Sequence, residues 1–293
     1  MDNWVIGVIG GSGLYDLQGL QDTETIDLET PWGAPSDRLV KGRMGAISFV
    51  FLPRHGKGHR LTPSAVPYRA NIDALKRLGC SDIVSISACG SLREAYAPGD
   101  FVFVDQFIDR TIHRDNSFFG DGVVAHVSMA DPVCRRLSGL VAEAAGPTGV
   151  KIHQGGTYLA MEGPQFSSRA ESYLYRQWGC DVIGMTNMPE AKLAREAELP
   201  YATMAMVTDY DCWREGENGV EVTDVLDIMQ KNTAHAQQTL QNLAQQLQAV
   251  PRTLSPQGIE TCLDFALITA PEARDPDQIA KLDAVAGRVL SPQ

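Results

Sequence analysis

The sequence has little positive charge and no paired-cysteine motif. Its 293 residues carry 25 lysines and arginines against 36 aspartates and glutamates, a formal net charge of −11. Such a chain lacks the net basic face needed to coat duplex nucleic acid, although a local anion site is compatible with it. The six cysteines are scattered without a C-x-x-C pair, which is typical of free thiols in a reducing compartment. We therefore expect no nucleic-acid partner.

Long hydrophobic runs are also missing. No stretch approaches the roughly 18 uninterrupted apolar residues of a membrane span, and the first residues lack the basic start of a secretory signal. The apolar fraction of 44% is still sufficient to bury a core without covalent cross-links. These features predict a globular cytoplasmic protein with no membrane partner.

Short β-branched runs alternate with helical patterns along the chain. Thr62 and Gly79 are predicted to open and close the first helix, and Ser168 with Glu171 forms a capping box for another. Further helices are predicted near residue 189 and over residues 223–250. The predicted strands are residues 4–9, 47–52, 83–87, 101–105, 157–161, 182–185 and 201–208.

This alternation predicts an α/β fold with a central mixed or mostly parallel sheet flanked by helices. Residues 1–250 are predicted to form the domain. Residues 251–293 are predicted to be a tail that packs on the domain or on a neighbouring subunit, because proline and charge become frequent there. Since ligands of such sheets bind at the carboxyl ends of strands, the polar residues that end strands are the candidates for function.

Two strand ends offer donors for an anion. The first strand runs into Gly10-Gly11-Ser12-Gly13, whose amides and hydroxyl suit an anion, although a plain tight turn is also compatible. A dinucleotide fingerprint fits poorly, since its third glycine falls on Asp16. The second strand delivers Arg54, whose planar fork suits phosphate, and His55. A metal site at His55 and His59 is disfavoured because intervening glycines oppose a helix.

Two further strand ends carry small or soft residues. The segment 87–91, Ser-Ala-Cys-Gly-Ser, can cradle an anion or a sugar with backbone amides. Cys89 is a conceivable nucleophile, but the sequence identifies no base to activate it. Met185-Thr186 offers an apolar floor and a hydroxyl, and a core methionine beside a loop threonine explains it equally well.

The acidic pair Asp209 and Asp211 is the most informative feature. In an extended chain, two residues at this spacing face the same side. Such a pair can be metal ligands or part of a solvated loop. Alternatively, it can recognise a nitrogen heterocycle, because a protonated carboxyl donates a hydrogen bond to a ring nitrogen. Mutual repulsion raises the pKa of one member, as a general acid near neutral pH requires, and the two titrate as a unit.

Six motifs therefore occur in a fixed order, at residues 10–13, 53–56, 87–91, 162–171, 185–186 and 208–213. Together they resemble the 5′-methylthioadenosine phosphorylases, within the trimeric class of the purine nucleoside phosphorylase family, over about residues 4–250. The resemblance implies a glycosyltransferase that converts S-methyl-5′-thioadenosine and phosphate to adenine and 5-methylthioribose 1-phosphate, in purine and methionine salvage. It also implies a homotrimer with a shared active site, with inorganic phosphate as co-substrate and neither metal nor organic cofactor.

The resemblance also implies a role for each site residue. It places phosphate on Ser12, Arg54, His55, Ser87, Ala88 and Thr186. It places the nucleoside on Met185 (ribose), Phe166 (base), Asp209, Tyr210 and Asp211 (adenine), and His126 and Ile268 (the 5′ pocket, with His126 lent by a neighbouring subunit). Ser167 and Val222 match positions that tune specificity. Asp209 is the expected proton donor to N7, and Asp211 orients it or receives the N6 amine.

Two other functions remain open. A phosphorylase of 6-oxopurine nucleosides or methylthioinosine reads a carbonyl in place of the amine, for which an asparagine suits better than Asp209. A nucleoside-binding protein without turnover is the second alternative, because one fold hosts several functions.

Overall fold

The computed structural model describes residues 4–11, 13–14, 17–214 and 222–290, with the backbone alone for 222–225. The strands in these ranges are β1 Val5–Gly10, β2 Gln21–Ile26, β3 Leu39–Met44, β4 Ile47–Pro53, β5 Asp82–Ser91, β6 Phe101–Phe103, β7 Gln106–Asp109, β8 Ile152–Gln154, β9 Thr157–Ala160, β10 Val182–Gly184 and β11 Tyr201–Asp209. The α-helices there are α1 Tyr68–Arg77, α2 Arg135–Ala145, α3 Arg169–Gln177, α4 Asn187–Glu196, α5 Val222–Ala249, α6 Pro276–Lys281 and α7 Asp283–Leu290.

The strands join one mixed sheet, whose main path runs β2-β3-β4-β1-β5-β10-β9-β7. β1 lies between β4 and β5 and is parallel to both. The sheet divides at β5, because β11 runs parallel along most of it while β10 pairs antiparallel with Gly90 and Ser91 at its end. The carboxyl ends of β4, β1, β5 and β11 consequently meet at one edge of the sheet.

Helices cover both faces of this sheet. α1, α4 and α7 pack on one face, and α2 and α5 pack on the other. β4 supplies both cores, with Val50 and Leu52 on the α1 side and Phe49 and Phe51 on the α5 side, all buried. A strand buried on both faces is apolar throughout, which is why this run was recognisable in the sequence. The predicted α/β fold with a central mixed sheet is confirmed.

The first helix begins later than the sequence predicts. Thr62 makes no capping hydrogen bond and precedes a short 3₁₀ turn, Pro63–Ala65. α1 starts only at Tyr68, after Pro67. Pro67 has no N–H and disfavours helical backbone in the residue before it, so a continuous helix from Thr62 was wrong. Gly79 follows the helix with a φ of 76°, in the left-handed region that favours glycine.

Several elements have no clear signal in the sequence, namely β2, β3, β7, β8, α2, α6 and α7. β2 is polar and almost wholly exposed, so it shows no alternation of apolar and polar residues. β6 ends at Phe103 and not at residue 105, because the chain turns there into β7. The capping box of α3 is present, with Ser168 accepting from the Glu171 amide and Glu171 accepting from that of Ser168.

The tail after residue 250 contributes to the core on the α1 face. Leu263, Leu282 and Val285 are buried there. Leu267 forms an antiparallel bridge with Ala125. None of the helices in the described part of the chain combines the length and apolar character needed to cross a bilayer. All six cysteines are free thiols, as the sequence predicts.

Candidate active site

Arg54 follows β4 and is buried in a polar network. Its backbone amide donates to the carbonyl of Gly10 at 2.9 Å, and its side chain is 3% exposed. Nε and Nη2 donate to the two carboxylate oxygens of Glu190, at 2.8 and 3.1 Å. Nη2 also donates to Ser85 Oγ at 2.6 Å, and Nη1 donates to the carbonyl of Ile86 at 3.0 Å. Each terminal nitrogen has two hydrogens, so Nη1 has one more to donate.

Glu190 is therefore the partner that sequence reasoning missed. It lies in the first turn of α4 and is 1% exposed. Its carboxylate also accepts from Ser85 Oγ at 2.6 Å and from Tyr201 Oη at 2.9 Å. Burial opposes the charged form of Arg54, but Glu190 raises the pKa of the guanidinium above its ordinary value. The guanidinium therefore stays charged, and all three of its nitrogens already bond to protein groups, with one hydrogen of Nη1 left to donate.

His55 is held in one tautomer. Its Nδ1 lies 2.9 Å from the carbonyl of Leu61, so Nδ1 carries the hydrogen and Nε2 is the acceptor of the neutral ring. Burial and the neighbouring charge of Arg54 lower the pKa of His55 to about 4. The ring stacks on His59 with centroids 4.1 Å apart. No group of three potential metal-ligating side chains is found among the described residues, at His55 and His59 or elsewhere.

The end of β5 and the start of α4 supply hydroxyls. Ser87 is 5% exposed, and its Oγ donates to the carbonyl of Ala88 and lies 3.3 Å from Tyr158 Oη. Thr186 is equally buried and immediately precedes α4. Burial raises the pKa of Cys89 well above its ordinary value, so the thiol stays protonated and is a poor nucleophile.

Asp209 and Asp211 are brought together by a turn and not by strand alternation. Asp209 ends β11, and Asp211 has a left-handed φ of 52°. The Asp211 amide donates to Asp209 Oδ1 at 2.7 Å, and Thr208 Oγ1 donates to Asp209 Oδ2 at 2.7 Å. The expectation of an extended chain was therefore wrong, because these hydrogen bonds close the backbone on itself. Tyr210, between them, packs edge-on against Trp213 with centroids 6.0 Å apart.

Both carboxyls lie in an environment that favours protonation. Burial raises the pKa of Asp209, against two hydrogen bonds that lower it. Burial also raises the pKa of Asp211, as does the charge of Asp209, although the nearby side chains of Ser172 and Ser167 lower it. Asp211 Oδ2 is buried and has no hydrogen-bond partner in the described structure. A buried unpaired oxygen is costly unless a ligand donates to it, so the pair is suited to a donor-bearing heterocycle.

The segment 161–168 lies beside this acidic pair. The carbonyl of Ser167 accepts from Cys212 Sγ at 3.2 Å, next in the chain to Asp211. The side chain of Phe166 is 46% exposed. Met185 lies against the same segment. A Cβ atom added to Gly163 would be only 2.5 Å from Met185 Sδ, and Gly163 has a φ of 65°, in the region that favours glycine. Phe166 and Ser167 are therefore on a segment that contacts Met185 at Gly163 and contacts Cys212, the residue after Asp211, at Ser167.

His126 and Ile268 lie together in another region. The His126 amide donates to the carbonyl of Ala266, and the Ile268 amide donates to that of Val124, both at 2.9 Å. Ile268 is 64% exposed, and His126 lines a cavity of about 400 Å³. No hydrogen bond of the described residues joins either one to Arg54 or Asp209. Ser12 lies outside the described residues, and Val222 begins α5 with its side chain undescribed.

The chain matches the family model described as the phosphorylase superfamily over residues 5–245, which include every strand named above. The chain belongs to the phosphorylase superfamily. Two relatives are similar to this chain over nearly its whole length. The S-methyl-5′-thioadenosine phosphorylase of Cereibacter sphaeroides is 60% identical over 286 residues, 98% of each chain. That of Bradyrhizobium diazoefficiens is 56% identical over 292 residues, 99% of each chain.

Solved structures of the superfamily agree with the fold. A methylthioadenosine phosphorylase sourced from an Antarctic soil metagenomic library is 48% identical, with a TM-score of 0.90 over 97% of this chain and 99% of that one. A methylthioadenosine phosphorylase from Schistosoma mansoni, in complex with adenine, is 38% identical, with a TM-score of 0.84 over 90% of this chain and 99% of that one.

Proposed function

We propose that this chain catalyses phosphorolysis of S-methyl-5′-thioadenosine to adenine and 5-methylthioribose 1-phosphate. The main support is the placement of a buried cation and an acidic pair at one edge of the sheet. Arg54 Nη1 contacts Ile86 of β5, and a Cβ on Gly90 of the same strand would lie 2.8 Å from Asp209 Oδ1. Ile86 and Gly90 are separated by about 13 Å at the rise of an extended strand. A pentose with phosphate on one side and a purine on the other fits this span.

Phosphate is proposed to bind on the Arg54 side. The second hydrogen of Nη1 donates to one phosphate oxygen, and the neutral His55 accepts from a phosphate hydroxyl through Nε2. The hydroxyls of Ser12, Ser87 and Thr186 and the amide of Ala88 are the proposed further donors. The bound phosphate stabilises positive charge that develops on the sugar as the bond to the base lengthens.

The base is proposed to leave from the Asp209 side. A phosphate oxygen forms the new bond to C1′, and the C1′–N9 electron pair goes to the purine. Adenine is a poor leaving group as an anion, so a proton must reach N7. Asp209 is the proposed donor, because burial raises its pKa. No step requires a metal or an organic cofactor.

Asp211 favours adenine over a 6-oxopurine. Its buried Oδ2 has no partner among the described residues, and a carboxyl keeps acceptor capacity in either protonation state. The N6 amine of adenine donates to such an oxygen, whereas the carbonyl of hypoxanthine repels it. Met185 is the proposed ribose contact, Phe166 and Tyr210 are proposed to flank the base, and Ser167 and Val222 are proposed to tune specificity.

The test is release of free base from methylthioadenosine, adenosine and methylthioinosine, with and without phosphate. We expect phosphate-dependent adenine from methylthioadenosine and little hypoxanthine from methylthioinosine. The reverse preference would establish the 6-oxopurine alternative, and binding without release of base would establish a non-catalytic protein. The Asp209→Asn variant is expected to lose at least about 100-fold in kcat. Turnover within a few-fold of the parent would exclude the proton transfer, with the exposed Asp22→Asn as control.

We further propose a cytoplasmic homotrimer in which His126 and Ile268 complete the 5′ pocket of a neighbouring copy. Support comes from the exposure of Phe265 (98%) and Ile268 (64%), apolar side chains beside His126. Hybrid oligomers of Asp209→Asn and His126→Ala chains test this. If sites are shared, some hybrid sites contain both intact residues, and activity exceeds that of either variant alone. Activity no greater than the average of the two single variants would contradict a shared site.

A further inference from the structure

Arg114 is a buried arginine that the motifs do not include. It lies in the loop after β7, and its side chain is 1% exposed. Nη1 donates to the carbonyls of Met185 and Met188, the latter at 2.7 Å. Nη2 donates to the carbonyl of Glu162 at 2.7 Å. One guanidinium thus binds the backbone on both sides of the proposed nucleoside space.

Two hydroxyls and a carboxylate complete this network. Nη1 also lies 3.1 Å from Tyr68 Oη, and Nε donates to Ser64 Oγ at 3.3 Å. Nε lies 3.5 Å from Glu162 Oε1. The other Glu162 oxygen accepts from the Ile112 amide at 2.6 Å, which fixes the loop that carries Arg114. The arginine and the segment it holds are therefore mutually anchored.

We propose that Arg114 is a positioning residue for the nucleoside half of the site. By binding the Met185 and Glu162 carbonyls together, it sets the distance between the ribose contact and the segment 162–168 that carries Phe166 and Ser167. It makes none of the contacts described for Arg54, His55 or Ser87, and it adjoins the proposed phosphate donors only at Thr186, whose preceding carbonyl, that of Met185, it binds. This role rests on the proposed function.

The geometry requires an arginine. The bonded oxygens are distributed over Nε, Nη1 and Nη2, and the five N–H groups of a guanidinium diverge within one plane. A lysine keeps the charge but offers its three donors from one point, and cannot reach the Met188, Glu162 and Ser64 oxygens together. Arg114→Lys therefore separates the effect of geometry from that of charge.

The experiment measures kcat, the KM for methylthioadenosine and the KM for phosphate in the parent, Arg114→Lys and Ser64→Ala. Since small misplacements in a site cost up to about 100-fold, we expect Arg114→Lys to raise the nucleoside KM by about tenfold or more. The phosphate KM should rise by less than about threefold, the effect of one weakened hydrogen bond, because Thr186 is the one proposed phosphate donor next to a carbonyl that Arg114 binds. Ser64→Ala removes one acceptor of Arg114 and one donor to the Glu162 carboxylate, and should raise the nucleoside KM by a smaller factor while the protein remains folded.

Arg252→Lys is the matched control. Arg252 is also buried, and it donates to Asp82 and to the carbonyl of Ser81, at the opposite end of β5 from Ala88. We expect it to lower the melting temperature and leave both KM values unchanged. Equal increases of both KM values in Arg114→Lys, or parental values in both site variants, would overturn the proposal. Absence of phosphorolysis by the parent would instead refute the proposed function.

Discussion

The buried pair of Arg54 and Glu190 makes the strongest prediction about stability. In Glu190→Gln, the guanidinium loses its countercharge while both side chains stay almost fully buried, at 4% and 2% exposure in the parent. Removing one partner of a buried ion pair costs about 3–5 kcal/mol. For 293 residues, an unfolding entropy of about 2.1 cal/mol/K per residue converts this to a fall of roughly 5–8 °C in melting temperature.

Thermal unfolding at pH 7.5, with and without phosphate, measures this effect. If phosphate binds beside Arg54, its negative charge replaces that of Glu190, so phosphate should raise the melting temperature of Glu190→Gln more than that of the parent. Glu196→Gln, a buried acid on the same helix whose carboxylate accepts from Ser117 and Phe118, is the control for the effect of phosphate. A melting temperature within about 2 °C of the parent would refute the energetic role of the pair. Equal stabilisation of both proteins by phosphate would refute the placement of phosphate at Arg54.

The remaining predictions concern a titrating acid and a close contact. Burial raises the pKa of Glu196 from 4.5 to about 7, so the native state binds more protons than the unfolded state between these values and its stability falls as pH rises through them. Glu196→Gln lacks this loss, so its free energy of unfolding should rise relative to that of the parent by up to about 3 kcal/mol between pH 4.5 and 8. A difference between the two proteins that does not change with pH would contradict the raised pKa. A Cβ on Gly184 would lie 1.9 Å from Tyr158 Oη. Gly184→Ala should therefore lower the free energy of unfolding, measured in urea, by about 1–3 kcal/mol. It should also weaken phosphate binding, because the methyl group displaces Tyr158 from Ser87. A free energy of unfolding equal to that of the parent would show that the contact relaxes freely.

Much of the fold was predictable because its signals are local. β1, β4, β5 and β11 are strands of six to ten residues that are buried almost throughout, and each contains a short apolar or β-branched run that the sequence shows. The α3 capping box needs only Ser168 and Glu171. The polar edge strand β2 and the short β7 and β8 carry no such pattern, since they gain their structure from pairing with neighbours.

The sequence indicated several side chains of the candidate site, but not the hydrogen bonds and ion pairs that connect them. The sequence indicates Arg54 as an anion ligand and the acids at 209 and 211 as a titrating pair. It does not indicate that Asp211 turns into a left-handed conformation, or that its Oδ2 is buried without a partner. Arg114 has no motif at all, because its partners are mostly backbone carbonyls, which every residue possesses.

The sequence by itself determined the central strands, several helices and the chemical groups that end them, because those properties depend on neighbours within a few positions. The tertiary structure decided which of these groups meet. Arg54 and Glu190 are 136 positions apart, and Arg114 reaches residues 46 to 74 positions away. Such contacts arise because the order of the strands in the sheet, and the burial of their apolar faces, bring distant segments to one edge. Charged groups that are buried there lose their water, so each must have a partner for the fold to be stable.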